Sequence, residues 1–339
     1  MKAFLIIFMV LAASCAHYSK QEKIESDPLR EKYNNYVKMY LQKYPNYIAH
    51  EEDGDCLVFA GLIGTVDDIP IDITRFKFDK GLFLRRIITL PDIYEELWEN
   101  GERKSKSQCS RDTYLSVLMY LWYSKHLPQE TRLALAQEIW ERGIENDWVM
   151  CKGEVTRTKF SKSLIGTLAH LIFRLGGEAH KEKDSSLYTF AISGFETGYQ
   201  RHLGANHALL RADLTGRMPK GIFAAIAQYR RSQPHNPLYQ YVYHKFKDFD
   251  QTETLDILLT SQHWPDDRLP NSMDHCEKWL IQRDMGKDWE PCLRHQGGDY
   301  FVNWKIDVFD EVDGESIVEH SGGDWLYVAD KLLKSKKKK

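Results

Sequence analysis

Apolar residues recur at three- and four-residue spacing along most of this chain, and that period commits it to helices packed on helices. Leu29, Tyr33, Val37, Tyr40, Leu41 and Tyr44 form the first stripe, which Asp27-Pro28 starts with a capping acid and a first-turn proline. Residues 111–126 are apolar almost all round, so this helix is expected to be buried on most faces. Residues 129–145 are amphipathic, with Leu133, Ala136, Ile139, Trp140 and Ile144 inward. Residues 161–175 stop at Gly176-Gly177, a helix C-terminal signal. Further helices are expected over 56–66, 91–98, 185–202, 206–214, 219–230, 237–249, 253–261, 273–283 and 324–334. Residues 69–88 alternate around Gly81 and read as a hairpin or irregular loop. Residues 296–319 read as irregular, with a short strand pair around Tyr300–Val308. The fold class is therefore mainly all-α.

The N-terminus is a second constraint. Met1-Lys2 precedes an apolar run, Ala3 to Ala13, with no polar position, and small residues follow it. That is the pattern of a secretory signal peptide, and the run falls short of the roughly 20 residues a membrane span needs. The segment Leu11-Ala12-Ala13-Ser14-Cys15 resembles the lipobox of bacterial lipoproteins. The resemblance implies cleavage before Cys15, a diacylglycerol on its thiol and attachment to a membrane. It departs from the family pattern in placing the large aliphatic Leu11 four positions before the cysteine rather than three. Cleavage after Ala16 without lipid is the alternative. Ala16-His17, rather than an acid, follows Cys15; by the same resemblance this implies the outer membrane, facing either the periplasm or the surface.

The expected organisation is a signal peptide over 1–14, a polar tether over 15–26, one helical domain over 27–335 and a basic tail over 336–339. An apolar content of 42% is enough for a core. A net charge of −3 gives no case for nucleic-acid binding. Mostly apolar helices (56–66, 111–126, 161–175) alternate with more amphipathic ones. In architecture alone this resembles the α/α toroids of polysaccharide lyases and glycoside hydrolases, with an irregular multi-helix array as the alternative. The toroid resemblance implies parallel inner helices whose N-terminal ends gather on one face.

Three acid-led helix starts would meet on that face: Asp55, Asp112 behind Arg111, and Asp324. Helix capping explains each of them singly. Together they could supply the two carboxylates of a glycosidase, about 5–5.5 Å apart for retention or about 6.5–9.5 Å for inversion. Asp112 with Asp55 or Asp324 is the expected pair. Trp264 and Arg268 belong to a proline-braced segment suited to holding a sugar. His207 and His320 are candidate bases; Arg111, His207 and Arg268 are the lyase set. Cys276 and Cys292 are expected to form a disulfide, with Cys56 and Cys109 as a second pair. No cysteine or histidine spacing suits a metal, and no motif calls for a cofactor. Two functions follow: a membrane-anchored glycan lyase or hydrolase, or a non-catalytic lipoprotein that binds a polysaccharide, peptidoglycan or a protein. In a Gram-negative host the full-length protein should fractionate with membranes and take up labelled palmitate. Cys15→Ser should abolish the label, and label surviving that substitution would place the anchor elsewhere.

Overall fold

The computed structural model describes residues 27–43, 56–85, 109–152, 157–180, 198–218, 220–232, 236–260, 268–271, 311–312, 315–319 and 323–336. Ten α-helices lie within them: α1 Pro28–Lys43, α2 Cys56–Ile63, α3 Arg111–Tyr123, α4 Gln129–Glu145, α5 Lys162–Arg174, α6 Gly198–Thr215, α7 Lys220–Ser232, α8 Pro237–Lys247, α9 Thr252–Thr260 and α10 Gly323–Lys336. The chain is mainly all-α, as its periodicity requires. None of these helices is long and apolar enough to cross a membrane.

The contacts close a ring: α2 packs on α3, α3 on α6, α6 on α8, α8 on α10, and α10 back on α2. The other helices lie against this ring. α4 and α5 cover α3, α7 covers α8, and α1 and α9 cover α10. The all-round apolar character of α3 follows from that position. Every residue from Thr113 to Leu121 is buried.

The tightest seam joins α2 and α3, and glycines make it. A Cβ on Gly61 would stand 2.8 Å from Ser116 Cβ and 2.9 Å from its backbone. One on Gly64 would stand 2.7 Å from the Tyr120 ring. Gly61 meets Ser116 and Gly64 meets Tyr120, so the two helices run in the same direction. Tyr120 then donates its hydroxyl to the Ile71 carbonyl at 2.6 Å, and Tyr114 donates to the Gly81 carbonyl at 3.0 Å. These bonds pin the expected hairpin, β1 Lys77–Asp79 against β2 Leu82–Phe83, onto α3. Gly81 has φ +65 and abuts the Glu138 carbonyl, so its turn needs a residue without a Cβ.

Several expectations need correction. The helices expected at 185–202 and 206–214 are, over the described residues, one helix, α6. Gly204 is buried inside it and weakens the pattern without ending it. A second hairpin, β3 Val149–Lys152 with β4 Arg157–Lys159, stands where no strand was expected. The strand pair expected around Tyr300–Val308 lies outside the described residues; β6 Glu311–Val312 and β7 Glu315–Glu319 form a further antiparallel pair. β5 Arg268–Asn271 pairs with β7 rather than forming a loop. It is an edge strand, where Pro270, lacking an N–H, can be tolerated.

The disulfide is also different. Cys109 bonds to Cys151, not Cys56, and ties the entry of α3 to β3. Cys56 is buried at the start of α2. Proximity in sequence favoured neither arrangement; the β3–β4 hairpin brings Cys151 to Cys109, where Thr158 also donates to the Cys109 carbonyl. Closing a separation of 42 residues contributes about 4 kcal/mol by restricting the unfolded chain. Cys276 and Cys292 lie outside the described residues, as does Cys15.

Gly61→Ala tests the seam. Alanine raises helix propensity by up to about 1 kcal/mol. Against that, the new methyl meets backbone that cannot rotate away, and overpacking costs about 1–3 kcal/mol. Net destabilisation is expected, read as a lower urea midpoint at unchanged slope.

Candidate functional site

Of the helix starts singled out by sequence, Asp55 and the side chain of Asp324 lie outside the described residues. At α3 the cap is Ser110, whose hydroxyl accepts from the Thr113 N–H. This corrects the capping role offered to Asp112, which sits inside the first turn, where a carboxylate favours the helix dipole. Arg111 beside it is exposed. Asp324 lies in the first turn of α10. Arg268 stands opposite Glu319 in the β5–β7 register. Asp55, Trp264 and His320 lie outside the described residues.

His207 is placed between α5 and α6. Its Nε2 is 2.8 Å from Thr167 Oγ1. That hydroxyl already donates to the Ser163 carbonyl and receives Arg211 Nη1 at 3.4 Å. The single Thr167 proton is thus committed, so His207 must donate through Nε2–H. Burial, helped by the Arg211 charge, pushes its pKa down to about 4. A neutral ring whose Nε2 proton is bound in this way suits a structural joint better than a general base.

The opposite ends of the ring helices hold a polar cluster instead. Tyr123, the last residue of α3, donates to Asp213 Oδ2 of α6 at 2.7 Å. Lys245 of α8 reaches both oxygens of Asp213, at 2.6 and 2.7 Å. On α10, Lys334 bridges Asp330 at 2.5 Å and Asp67, beyond α2, at 2.7 Å. Lys125 takes the other oxygen of Asp67 at 2.5 Å. Tyr33 of α1 donates to Asp330 at 3.4 Å. Apart from Tyr33, these groups lie near or just beyond the C-terminal ends of the ring helices. Those ends carry partial negative charge, which suits the concentration of lysines there.

Lys331 sits among these groups and is only 8% exposed. Its Nζ lies 3.2 Å from the Tyr123 ring centre and 4.5 Å from that of Tyr327. Three of the four lysines here face a carboxylate at ion-pair distance; Lys331 faces none among the described residues. Burial, then the nearby Lys245 and Lys334 charges, hold its pKa well below the ordinary lysine range despite Asp330 and Asp213. Burial likewise raises the Asp330 carboxyl, against the pull of Lys334 and Lys331. Tyr123 and Tyr241 are raised by burial and by Asp213, so both remain phenols. For Asp67, burial works upward, but the hydrogen bonds from Lys125 and Lys334 prevail and the carboxyl lies low.

The arrangement combines a buried amine, drawn well below the ordinary lysine range, with hydroxyl donors and paired carboxylates. It can accept or return a proton, or attack an electrophile. Sequence periodicity missed it by weighing helix starts. The available signal was charge inside helices that are otherwise apolar: Asp330-Lys331 within Trp325 to Leu333, and Asp213 within Ala208 to Leu214. Among the described residues, no group of three or more His, Cys, Asp or Glu is placed to hold a metal.

Comparison with known proteins gave no match to a family model, a curated protein or a solved structure.

His207 supplies a prediction. Its folded pKa lies below the unfolded value of 6.5, so the unfolded state binds more protons between those values. Its contribution is present above about pH 6.5 and is lost as pH falls toward about 4, on the order of 3 kcal/mol in all. His207→Gln, which keeps an N–H for Thr167, should remove that component from a urea-midpoint profile against pH. An unchanged profile would mean that His207 is not the group responsible.

Proposed function

We propose that this chain is an exported envelope lipoprotein, anchored through Cys15 to the outer membrane, whose helical domain processes an acidic glycan by proton transfer. The observation that carries the reading is Lys331: a buried amine, drawn below the ordinary lysine range, held over a tyrosine face with no carboxylate at ion-pair distance among the described residues. Such a group suits elimination. The neutral amine takes a proton from the carbon next to the sugar carboxylate, and as ammonium returns it to the departing glycosidic oxygen. One C–H and one C–O bond break, a C=C bond forms, and no water is consumed. The tyrosine hydroxyls and Asp213 would hold sugar hydroxyls. Hydrolysis is less well supported, because Asp213 and Asp330 are each held by a lysine.

The test is the purified protein on a panel of acidic and neutral polysaccharides, with ultraviolet absorbance and reducing ends followed together. Elimination raises both; hydrolysis raises reducing ends alone. Lys331→Met should abolish turnover with the fold intact by circular dichroism. Retained binding without turnover by the parent protein would favour the non-catalytic lipoprotein. Neither binding nor turnover on any glycan would sink the glycan reading.

A further inference from the structure

The geometry points to Lys331 Nζ as a nucleophilic amine that condenses with the aldehyde or ketone of a ligand to form an imine. This rests on the cluster itself and goes beyond the glycan reading. Three observations converge. Lys331 reaches from α10 to the Tyr123 ring at the end of α3 and is nearly enclosed, at 8% exposure. Its surroundings are aromatic on two sides, Tyr123 at 3.2 Å and Tyr327 at 4.5 Å from Nζ to ring centre. Every other lysine of the cluster is committed to an aspartate, whereas Lys331 makes neither a hydrogen bond nor an ion pair among the described residues. A lysine desolvated in this way beside other cations keeps a lone pair at pH values where exposed lysines are ammonium. With Lys331 uncharged, three lysines remain with the three aspartates they hold, so among the described residues the enclosure loses its one cation without a carboxylate.

The step balances without an oxidant or reductant. The Nζ lone pair bonds to the carbonyl carbon. The two Nζ protons pass to the carbonyl oxygen, the C–O bond breaks, and water leaves. The C=N bond that remains links Lys331 to the ligand. Tyrosine rings line the enclosure, and its aspartates are already held by lysines, so the favoured ligand is a small, hydroxylated carbonyl compound.

Trapping tests this directly. The full-length protein is incubated at pH 7 with limiting glycolaldehyde and cyanoborohydride, and the reduced adducts are located by peptide mapping over time. Lys331 should be labelled at least about tenfold faster than Lys159 and Lys247, two lysines with half-exposed side chains. Lys331→Arg should remove the fast phase. Labelling of Lys331 no faster than Lys159 or Lys247 overturns the inference, as does a fast phase that survives in Lys331→Arg. If the variant fails to fold, the time course of the parent protein still decides. Glycan turnover without fast labelling would refute the imine alone. Fast labelling without glycan turnover would leave the imine standing and refute the glycan reading.

Discussion

An amine enclosed among tyrosine rings, with lysines for neighbours and, among the described residues, no carboxylate against it, is the constraint on which this structure turns. Burying an unpaired charge is costly, and a protein avoids the cost by neutralising the group. Lys331 meets that condition because the nearby aspartates are already occupied. Asp213 is held by Lys245, and Asp67 and Asp330 by Lys334. The ion pairs around the cluster therefore do two things. They join the ends of adjacent ring helices, and they commit the nearby aspartates to other lysines.

That cluster depends on packing at some distance from it. Gly61 and Gly64 let α2 approach α3 until Ser116 and Tyr120 fill the space their side chains would have taken. The approach sets the shared direction of these two helices, and so brings Asp67 and Tyr123 to the same end of the ring. A larger residue at either glycine would move α3 as a unit, because its other faces are already covered by α4, α5 and α6. The disulfide to Cys151 fixes the other end of α3.

Much of the fold was legible in the sequence. The stripe from Leu29 to Tyr40, the all-round apolar run after Arg111 and the proline-led start at Pro237 each read as the helix that is observed. What failed had local causes. Gly204 looked like a break but is a buried position in a continuous helix. Cys151 found Cys109 through a hairpin whose short strands carry little alternation. The site was harder to read because its parts come from six segments of the chain, and outside α10 each contributes only one or two charged or phenolic groups. Asp112 and Arg111 stood out by position at a helix start, yet Ser110 performs the capping there. Asp330-Lys331 looked ordinary, although a charged pair inside a stripe that is otherwise apolar is the more unusual feature.

The central claim is that Lys331 is a neutral amine under conditions where other lysines are charged. Its side-chain Cε and Nζ resonances, assigned by loss in Lys331→Met, can be followed by NMR as pH is raised in the intact protein. The account predicts an apparent pKa well below the ordinary lysine value of about 10.4. It also predicts that Lys245→Met, which removes a neighbouring positive charge, will move that pKa upward. Titration of Lys331 within the ordinary lysine range, unmoved by loss of Lys245, would contradict it.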